Sequence, residues 1–76
     1  MEFDYSDLIG RIIAKFGSRR AFAKAARLSE NTISKKLSGK VPITKADVEK
    51  WSRKELLDIA VQDIPAYFFK IKVQEN

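Results

Sequence analysis

The stretch SRRAFAKAARLSENTISKKLSGK, residues 18–40, decides the fold of this chain. Ser18 and Ser29 each precede a short run with helical spacing of apolar residues. Serine is a preferred residue at the N-cap of a helix, where its side chain satisfies a free backbone N–H. We therefore predict two short helices, at about residues 19–26 and 30–37, with a tight turn between them.

The apolar residues of this stretch predict how the two helices pack. Ala23 is small at the point where the helices must cross closely, and Gly39 is placed to end the second helix. The pattern is typical of a helix-turn-helix unit at about residues 18–38. The side chains expected to lie inward are Phe22, Ala25, Ala26, Leu28, Ile33 and Leu37.

Further helices are predicted on both sides of this unit. Asp4 or Ser6 can cap a first helix, and Gly17 can end it in the left-handed conformation. Thr44 and Asp47 resemble the capping box that begins a fourth helix. The residues expected to turn inward are Leu8, Ile12, Ile13 and Phe16 in the first helix and Val48, Trp51, Leu56 and Leu57 in the fourth.

The two ends of the chain alternate apolar and charged residues, a pattern typical of strands. Pairing residues 2–5 with residues 70–73 would set acidic side chains against basic ones across the strands, which is favourable. Pairing within the chain and pairing across a dimer are both left open. One face would carry Phe3, Tyr5, Phe69, Ile71 and Val73, and the other Glu2, Asp4, Lys70 and Lys72.

A last helical turn is predicted just before the C-terminal strand. Pro65 is tolerated at the start of a helix, so Asp63-Ile64-Pro65 should begin a turn that runs through Tyr67. The cluster Tyr67-Phe68-Phe69 is expected mainly in the core. The elements together predict one mainly α domain over residues 1–76, with five helices and optionally a small two-stranded pairing of the terminal segments.

Composition excludes several classes of protein. The chain has 76 residues with neither cysteine nor histidine, which removes disulfides, thiol nucleophiles and imidazole bases. Its acidic residues do not cluster as a catalytic pair or a metal site. We therefore expect no enzymatic activity, no metal, no cofactor and no small-molecule ligand. No apolar run could span a membrane and no signal peptide is evident, so we expect a cytoplasmic protein.

The excess positive charge is concentrated in one segment. Residues 19–40 contain seven basic residues and one acid, a net charge of +6, whereas the rest of the chain has a net charge of −1. A merely solvated surface would disperse this excess. A localised basic face is the electrostatic footprint of a protein that binds a polyanion.

The helix-turn-helix stretch resembles the phage repressor/Cro-type family. The resemblance rests on Phe22-Ala23, Leu28-Ser29, Thr32-Ile33-Ser34 and Ser38-Gly39-Lys40. A second resemblance, to short phage-encoded repressor-like proteins of Gram-positive hosts, extends over nearly the whole chain. It rests on Phe3-Asp4-Tyr5-Ser6, Phe22-Ala23, Leu28-Ser29-Glu30, Tyr67-Phe68-Phe69 and Lys72-Val73-Gln74.

These resemblances imply a five-helix DNA-binding fold and a set of contact residues. The implied partner is a double-stranded DNA operator, with a homodimer on the DNA left open. Arg27 stands where the family usually has glycine, so Arg27 must adopt a positive φ or the turn must differ. The residues implied to contact bases are Glu30, Asn31, Ser34 and Lys35, and those implied to contact phosphates are Arg19, Thr32 and Lys40.

Two functional hypotheses follow from the sequence. The first is sequence-specific DNA binding by a recognition helix in the major groove, as a phage or prophage transcriptional repressor. The second is an antirepressor or regulatory protein that binds another repressor through the same fold. Three other side chains receive structural interpretations: Trp51 is expected in the core rather than stacked on a base, and Lys24 and Lys36 are expected to be solvated.

Overall fold

Five α-helices and one 3-10 turn make up the computed structural model, which describes residues 2–72. This confirms the mainly α fold with five helices. The 3-10 turn, Val61–Asp63, leads directly into the last helix. The helices are α1 (Ser6–Phe16), α2 (Arg19–Ala26), α3 (Glu30–Leu37), α4 (Lys45–Trp51) and α5 (Ile64–Phe68).

The predicted caps of α2, α3 and α4 are confirmed. The Ser18 hydroxyl accepts a hydrogen bond from the N–H of Ala21 at 3.1 Å. The Ser29 hydroxyl accepts one from the N–H of Thr32 at 3.0 Å. The capping box of α4 has both of its hydrogen bonds, each between Thr44 and Asp47. These side chains satisfy helix N–H groups that would otherwise lack a partner.

The predicted cap of α1 was wrong. Tyr5 occupies the N-cap position and Ser6 is the first helical residue. The Asp4 carboxylate instead accepts a hydrogen bond from the N–H of Ser6 at 2.9 Å. Hydrogen bonding to Ser6 lowers the pKa of Asp4 below its ordinary value. Gly17 ends α1 with a φ of 82°, as predicted.

A chain of aromatic contacts forms the centre of the core. The ring of Trp51 in α4 lies edge-on to Phe22 in α2, with centroids 5.2 Å apart. The ring centroid of Phe22 also lies 5.4 Å from that of Phe16 in α1, and the centroid of Trp51 lies 6.4 Å from that of Phe68 in α5. Trp51, Phe22 and Phe68 are almost fully buried. The predicted core position of Trp51 is confirmed.

Three expectations about apolar residues were wrong. Ile13 is 44% exposed, because the buried stripe of α1 runs through Ile12 and the next residue is rotated by about 100° around the helix. Ala25 is exposed for the same reason, since α2 turns Ala26 inward. The third expectation concerned the length of the fourth helix, which ends at Trp51 and does not extend to Leu56 and Leu57.

Leu56 and Leu57 are buried, as predicted, but they lie in a turn that follows α4. The N–H of Leu57 donates to the carbonyl of Trp51 at 3.0 Å. The Arg11 guanidinium of α1 donates to the carbonyls of Leu57 and Asp58, both at 2.9 Å. Backbone hydrogen bonds and one arginine therefore hold this turn where a longer helix was expected.

Lys36 was expected in solvent but is buried. Its ammonium group lies 2.5 Å from a carboxylate oxygen of Asp47 and also donates to the carbonyl of Pro42 at 3.2 Å. Burial alone would raise the pKa of Asp47, but hydrogen bonds from Lys36 and Thr44 outweigh it and lower the pKa. This ion pair connects the recognition-helix candidate α3 to the start of α4.

The terminal segments pair within the chain. Phe3 and Ile71 form an antiparallel bridge, flanked by hydrogen bonds from Asp4 N–H to the Lys70 carbonyl at 2.6 Å and from Lys72 N–H to the Glu2 carbonyl at 2.9 Å. Glu2 pairs with Lys72 at 3.7 Å, as expected. Lys70 pairs with Asp7 of α1 at 3.3 Å instead of with Asp4. Val73 and Gln74 lie outside the described residues.

The Lys36–Asp47 pair generates a first prediction. Asp47→Ala should lower the free energy of unfolding by about 2–4 kcal/mol, because it removes a cap and leaves a buried ammonium group without its counter-ion. Lys36→Met should cost less, because the Asp47 carboxylate that it leaves without a counter-ion still accepts the hydrogen bond from the N–H of Thr44. Urea denaturation at pH 7 measures both. A larger loss for Lys36→Met than for Asp47→Ala would contradict this account.

The same pair predicts how stability depends on pH. Because folding lowers the pKa of Asp47, its stabilisation is complete above the unfolded-state pKa of about 3.9 and is lost as the pH falls through the folded value. The free energy of unfolding should therefore decrease below about pH 4, and Asp47→Asn should make this decrease shallower. An equal pH dependence in the two proteins would argue against the pair.

A further prediction concerns the terminal bridge. Deleting residues 70–76 removes both flanking hydrogen bonds and should lower the melting temperature by about 5–10 °C. Thermal unfolding followed by circular dichroism measures the change. If the melting temperature stays the same and only self-association changes, the C-terminal segment stabilises a dimer and not the single chain.

Candidate functional site

The outward face of α3 carries the four residues expected to contact bases. Ile33, Lys36 and Leu37 are buried and fix the opposite face of this helix on the core. The residues of the outward face are Glu30, Asn31 and Lys35, which are exposed, and Ser34, which is half-buried. Asn31 and Lys35 are four residues apart, so the helix places them on one side. The face is polar and could donate and accept hydrogen bonds.

The three residues expected to contact phosphates lie at separate points around this face. Arg19 is half-buried at the first position of α2, and Lys40 is exposed just after α3. Thr32 lies in the first turn of α3, where its hydroxyl accepts a hydrogen bond from the Ser29 hydroxyl at 2.8 Å. Its own O–H is then still able to donate to an anion.

The turn between α2 and α3 has the first of the two geometries that the sequence allowed, a positive φ at Arg27. Arg27 adopts a left-handed conformation, with φ 60° and ψ 38°. The N–H of Leu28 donates to the Ala23 carbonyl at 2.9 Å, and the Lys50 ammonium donates to the Ala26 carbonyl. The carbonyls of Ala23 and Ala26, in the last turn of α2, are thereby satisfied.

Sequence reasoning missed a row of basic residues on α2. Arg20, Lys24 and Arg27 are all exposed, whereas the buried face of this helix consists of Phe22, Ala23 and Ala26. The spacing of four residues would have revealed Arg20 and Lys24, because residues so spaced lie on one face of a helix. Arg27 follows the helix with a left-handed backbone. All three belong to the predicted basic segment, but their joint exposure beside α3 was not predicted.

An apolar surface lies at the chain ends, where the sequence predicted that these residues share a face but not that they are exposed. Phe3, Phe69 and Ile71 are 42%, 51% and 52% exposed, and we call them the terminal apolar patch. The rings of Phe3 and Phe69 meet edge to face, with centroids 6.0 Å apart. Of the three aromatic residues expected in the core, Phe68 is buried, Tyr67 is half-buried and Phe69 is exposed.

The terminal apolar patch continues into a groove between α4 and α5. The apolar residues that line this groove are Ile43, Val48, Ile64 and Phe69. Lys45 and Glu49 also line it. Phe69 belongs to both the patch and the groove, so the two form one continuous surface of apolar character with charged neighbours.

Comparison with known proteins gives a family and a similar structure. Residues 1–71 match a family model described as "Protein of unknown function (DUF739)". The chain belongs to this family. It is also similar to the solution structure of the modulator of repression (MOR) of the temperate bacteriophage TP901-1 from Lactococcus lactis, with 42% identity and a TM-score of 0.78. That similarity covers 95% of this chain and 97% of the other. None of the curated proteins matches the sequence.

Of the two resemblances found in the sequence, the similarity to MOR supports only one. A similar structure from a phage protein agrees with the resemblance to short phage-encoded regulators. The resemblance to the repressor/Cro-type family stays a prediction, as do the contact residues taken from it. Among residues 2–72, no helix is long and apolar enough to cross a membrane.

Proposed function

We propose that this chain is a phage or prophage regulator that modulates repression by binding a repressor protein. The observation that carries the proposal is the similarity to a modulator of repression, because 42% identity extends over 95% of this chain. The proposed function requires no enzymatic activity and takes place in the cytoplasm of a bacterial host. This corresponds to the second hypothesis from the sequence, a regulator that acts on another repressor.

The terminal apolar patch supports a protein partner. Large apolar side chains that are exposed together are typical of protein–protein contacts, whose centres are rich in aromatic residues. The neighbouring charged side chains of Glu2, Lys70 and Lys72 are already paired within the chain. These paired side chains can form the polar rim of an interface. No charged group among them would be buried there without a partner. We assign the repressor to this patch.

Phe69 provides the test of this assignment. Phe69→Ser should weaken binding of the repressor encoded by the same phage or prophage by tenfold or more, as expected for an aromatic residue at the centre of an interface, about 1.4 kcal/mol. The matched control is Val61→Ser, because Val61 is 81% exposed but lies outside the patch. Isothermal titration measures both affinities, and thermal unfolding shows whether each variant is folded.

Two results would contradict the proposal. If the unmodified chain does not bind the repressor, the proposed function is wrong. If it binds but Phe69→Ser and Val61→Ser lose affinity equally, the function stands and the assignment to the terminal apolar patch is wrong. Release of the repressor from its operator on addition of the chain would show that binding modulates repression.

DNA binding by α3 is a second candidate function. The observations that favour it are the net charge of +6 in residues 19–40 and the polar outward face of α3. Lysine can donate to guanine O6 and N7, and asparagine suits adenine N6 and N7. Under this candidate function, Asn31 and Lys35 contact bases, whereas Lys40, which follows the helix, contacts a phosphate.

Substitutions in and after α3 separate base contacts from phosphate contacts. Asn31→Ala should weaken binding to a cognate operator by about 1–3 kcal/mol and leave binding to random duplex nearly unchanged. Lys40→Ala should weaken both by similar factors and reduce the slope of log K against log salt by about one. Glu30→Ala should raise affinity for random duplex, because a carboxylate repels phosphates. A slope near zero for the unmodified chain would exclude this candidate function.

A further inference from the structure

The groove between α4 and α5 contains two charged side chains that neither candidate function uses. Lys45 and Glu49 of α4 both line this groove, and both are exposed. The other residues that line it are all apolar. Within residues 2–72, neither Lys45 nor Glu49 forms a salt bridge, whereas three other lysines do. We call this surface the α4–α5 groove.

The order of these two charges along α4 does little for the stability of the helix itself. Lys45 is the first residue of α4, and Glu49 follows it by four residues, so both lie on one face of the helix. A lysine that precedes a glutamate at this spacing pairs less well than a lysine that follows one. A cation at the first residue of a helix also opposes the helix dipole. Both charges are therefore available to another molecule.

The pair Lys45 and Glu49 is complementary to a second copy of itself. In a dimer with two-fold symmetry, every contact between two different residues occurs twice, with the subunits exchanged. If the α4 helices of two copies lie antiparallel, with the axis level with Asp47, Lys45 of each copy faces Glu49 of the other. Two ion pairs would then flank the apolar lining of the groove, which is the usual arrangement of polar rim and apolar centre in an interface.

The terminal strands offer a less favourable route to a dimer. Ile71 is exposed and has a lysine on either side. If two copies paired antiparallel about Ile71, Lys70 of each copy would face Lys72 of the other. Like charges directly opposite one another destabilise a pair of strands. Charge therefore disfavours self-association at the strands and favours it at the α4–α5 groove.

We propose that two copies of this chain associate through the α4–α5 groove, with Lys45 of each copy opposite Glu49 of the other. Closing the groove against a second copy removes its apolar lining from water, which is favourable. Phe69 belongs both to the groove and to the terminal apolar patch. Self-association therefore competes with binding of the repressor, a consequence that rests on the proposed function. The self-association itself does not depend on that function.

Exchange of the two charges tests the proposed dimer. Sedimentation equilibrium of the full chain, over a series of concentrations, measures self-association. Lys45→Glu and Glu49→Lys should each weaken it about tenfold or more, because symmetry makes each substitution replace two attractions by two repulsions. The double variant Lys45→Glu with Glu49→Lys should restore it. An equimolar mixture of the two single variants should restore it too, because opposite charges then face each other again in the mixed dimer.

Lys54→Glu and Glu55→Lys are the matched controls, since both residues are exposed in the turn after α4 and do not line the groove. They should leave self-association unchanged. An unmodified chain that stays monomeric at every concentration would overturn the proposal, as would a mixture of the single variants that does not restore the dimer.

The repressor titration separates this proposal from the proposed function. If Lys45→Glu and Glu49→Lys weaken only the binding of the repressor, the groove belongs to the repressor contact and the proposed dimer is wrong. If the chain self-associates as expected but does not bind the repressor, the proposed function is wrong and the dimer stands.

Discussion

The contact of Trp51 with Phe22 and Phe68 is the interaction on which the rest of the structure depends. These three rings connect α4, α2 and α5, and Phe16 extends the contacts to α1. A chain of 76 residues buries a smaller fraction of its surface than a larger domain does. Large aromatic side chains supply much buried area per residue, so a few of them can hold several short helices together.

The placement of α3 depends on both apolar and ionic contacts. Ile33 and Leu37 hold this helix on the core, and Lys36 connects it to Asp47 at the start of α4. Asp47 also closes the capping box of α4, so one carboxylate serves a helix start and an interhelical contact. Because three of its eight residues are engaged inward, α3 presents the remaining polar side chains outward.

The surface of the protein divides into regions of different chemistry. The basic side chains of α2 and the polar face of α3 suit phosphates and bases, whereas the terminal apolar patch suits another protein. Desolvation explains why these surfaces suit different partners. Removing apolar groups from water lowers the free energy, whereas removing charged groups from water raises it unless they are paired.

The sequence by itself determined the starts of α2, α3 and α4, since Ser18, Ser29 and Thr44 act on backbone groups within three residues of themselves. It also determined the concentration of charge and the five-helix fold. Tertiary structure alone decided that Lys36 is buried, because its partner Asp47 lies eleven residues away in another helix. It likewise decided that Phe69 is exposed while Phe68 is buried, since Phe68 lies beside Trp51 in the core and Phe69, just after α5, lies beside the exposed Phe3. Local patterns specify caps and periodicity, but only the packed chain specifies which groups meet and which surfaces are left for a partner.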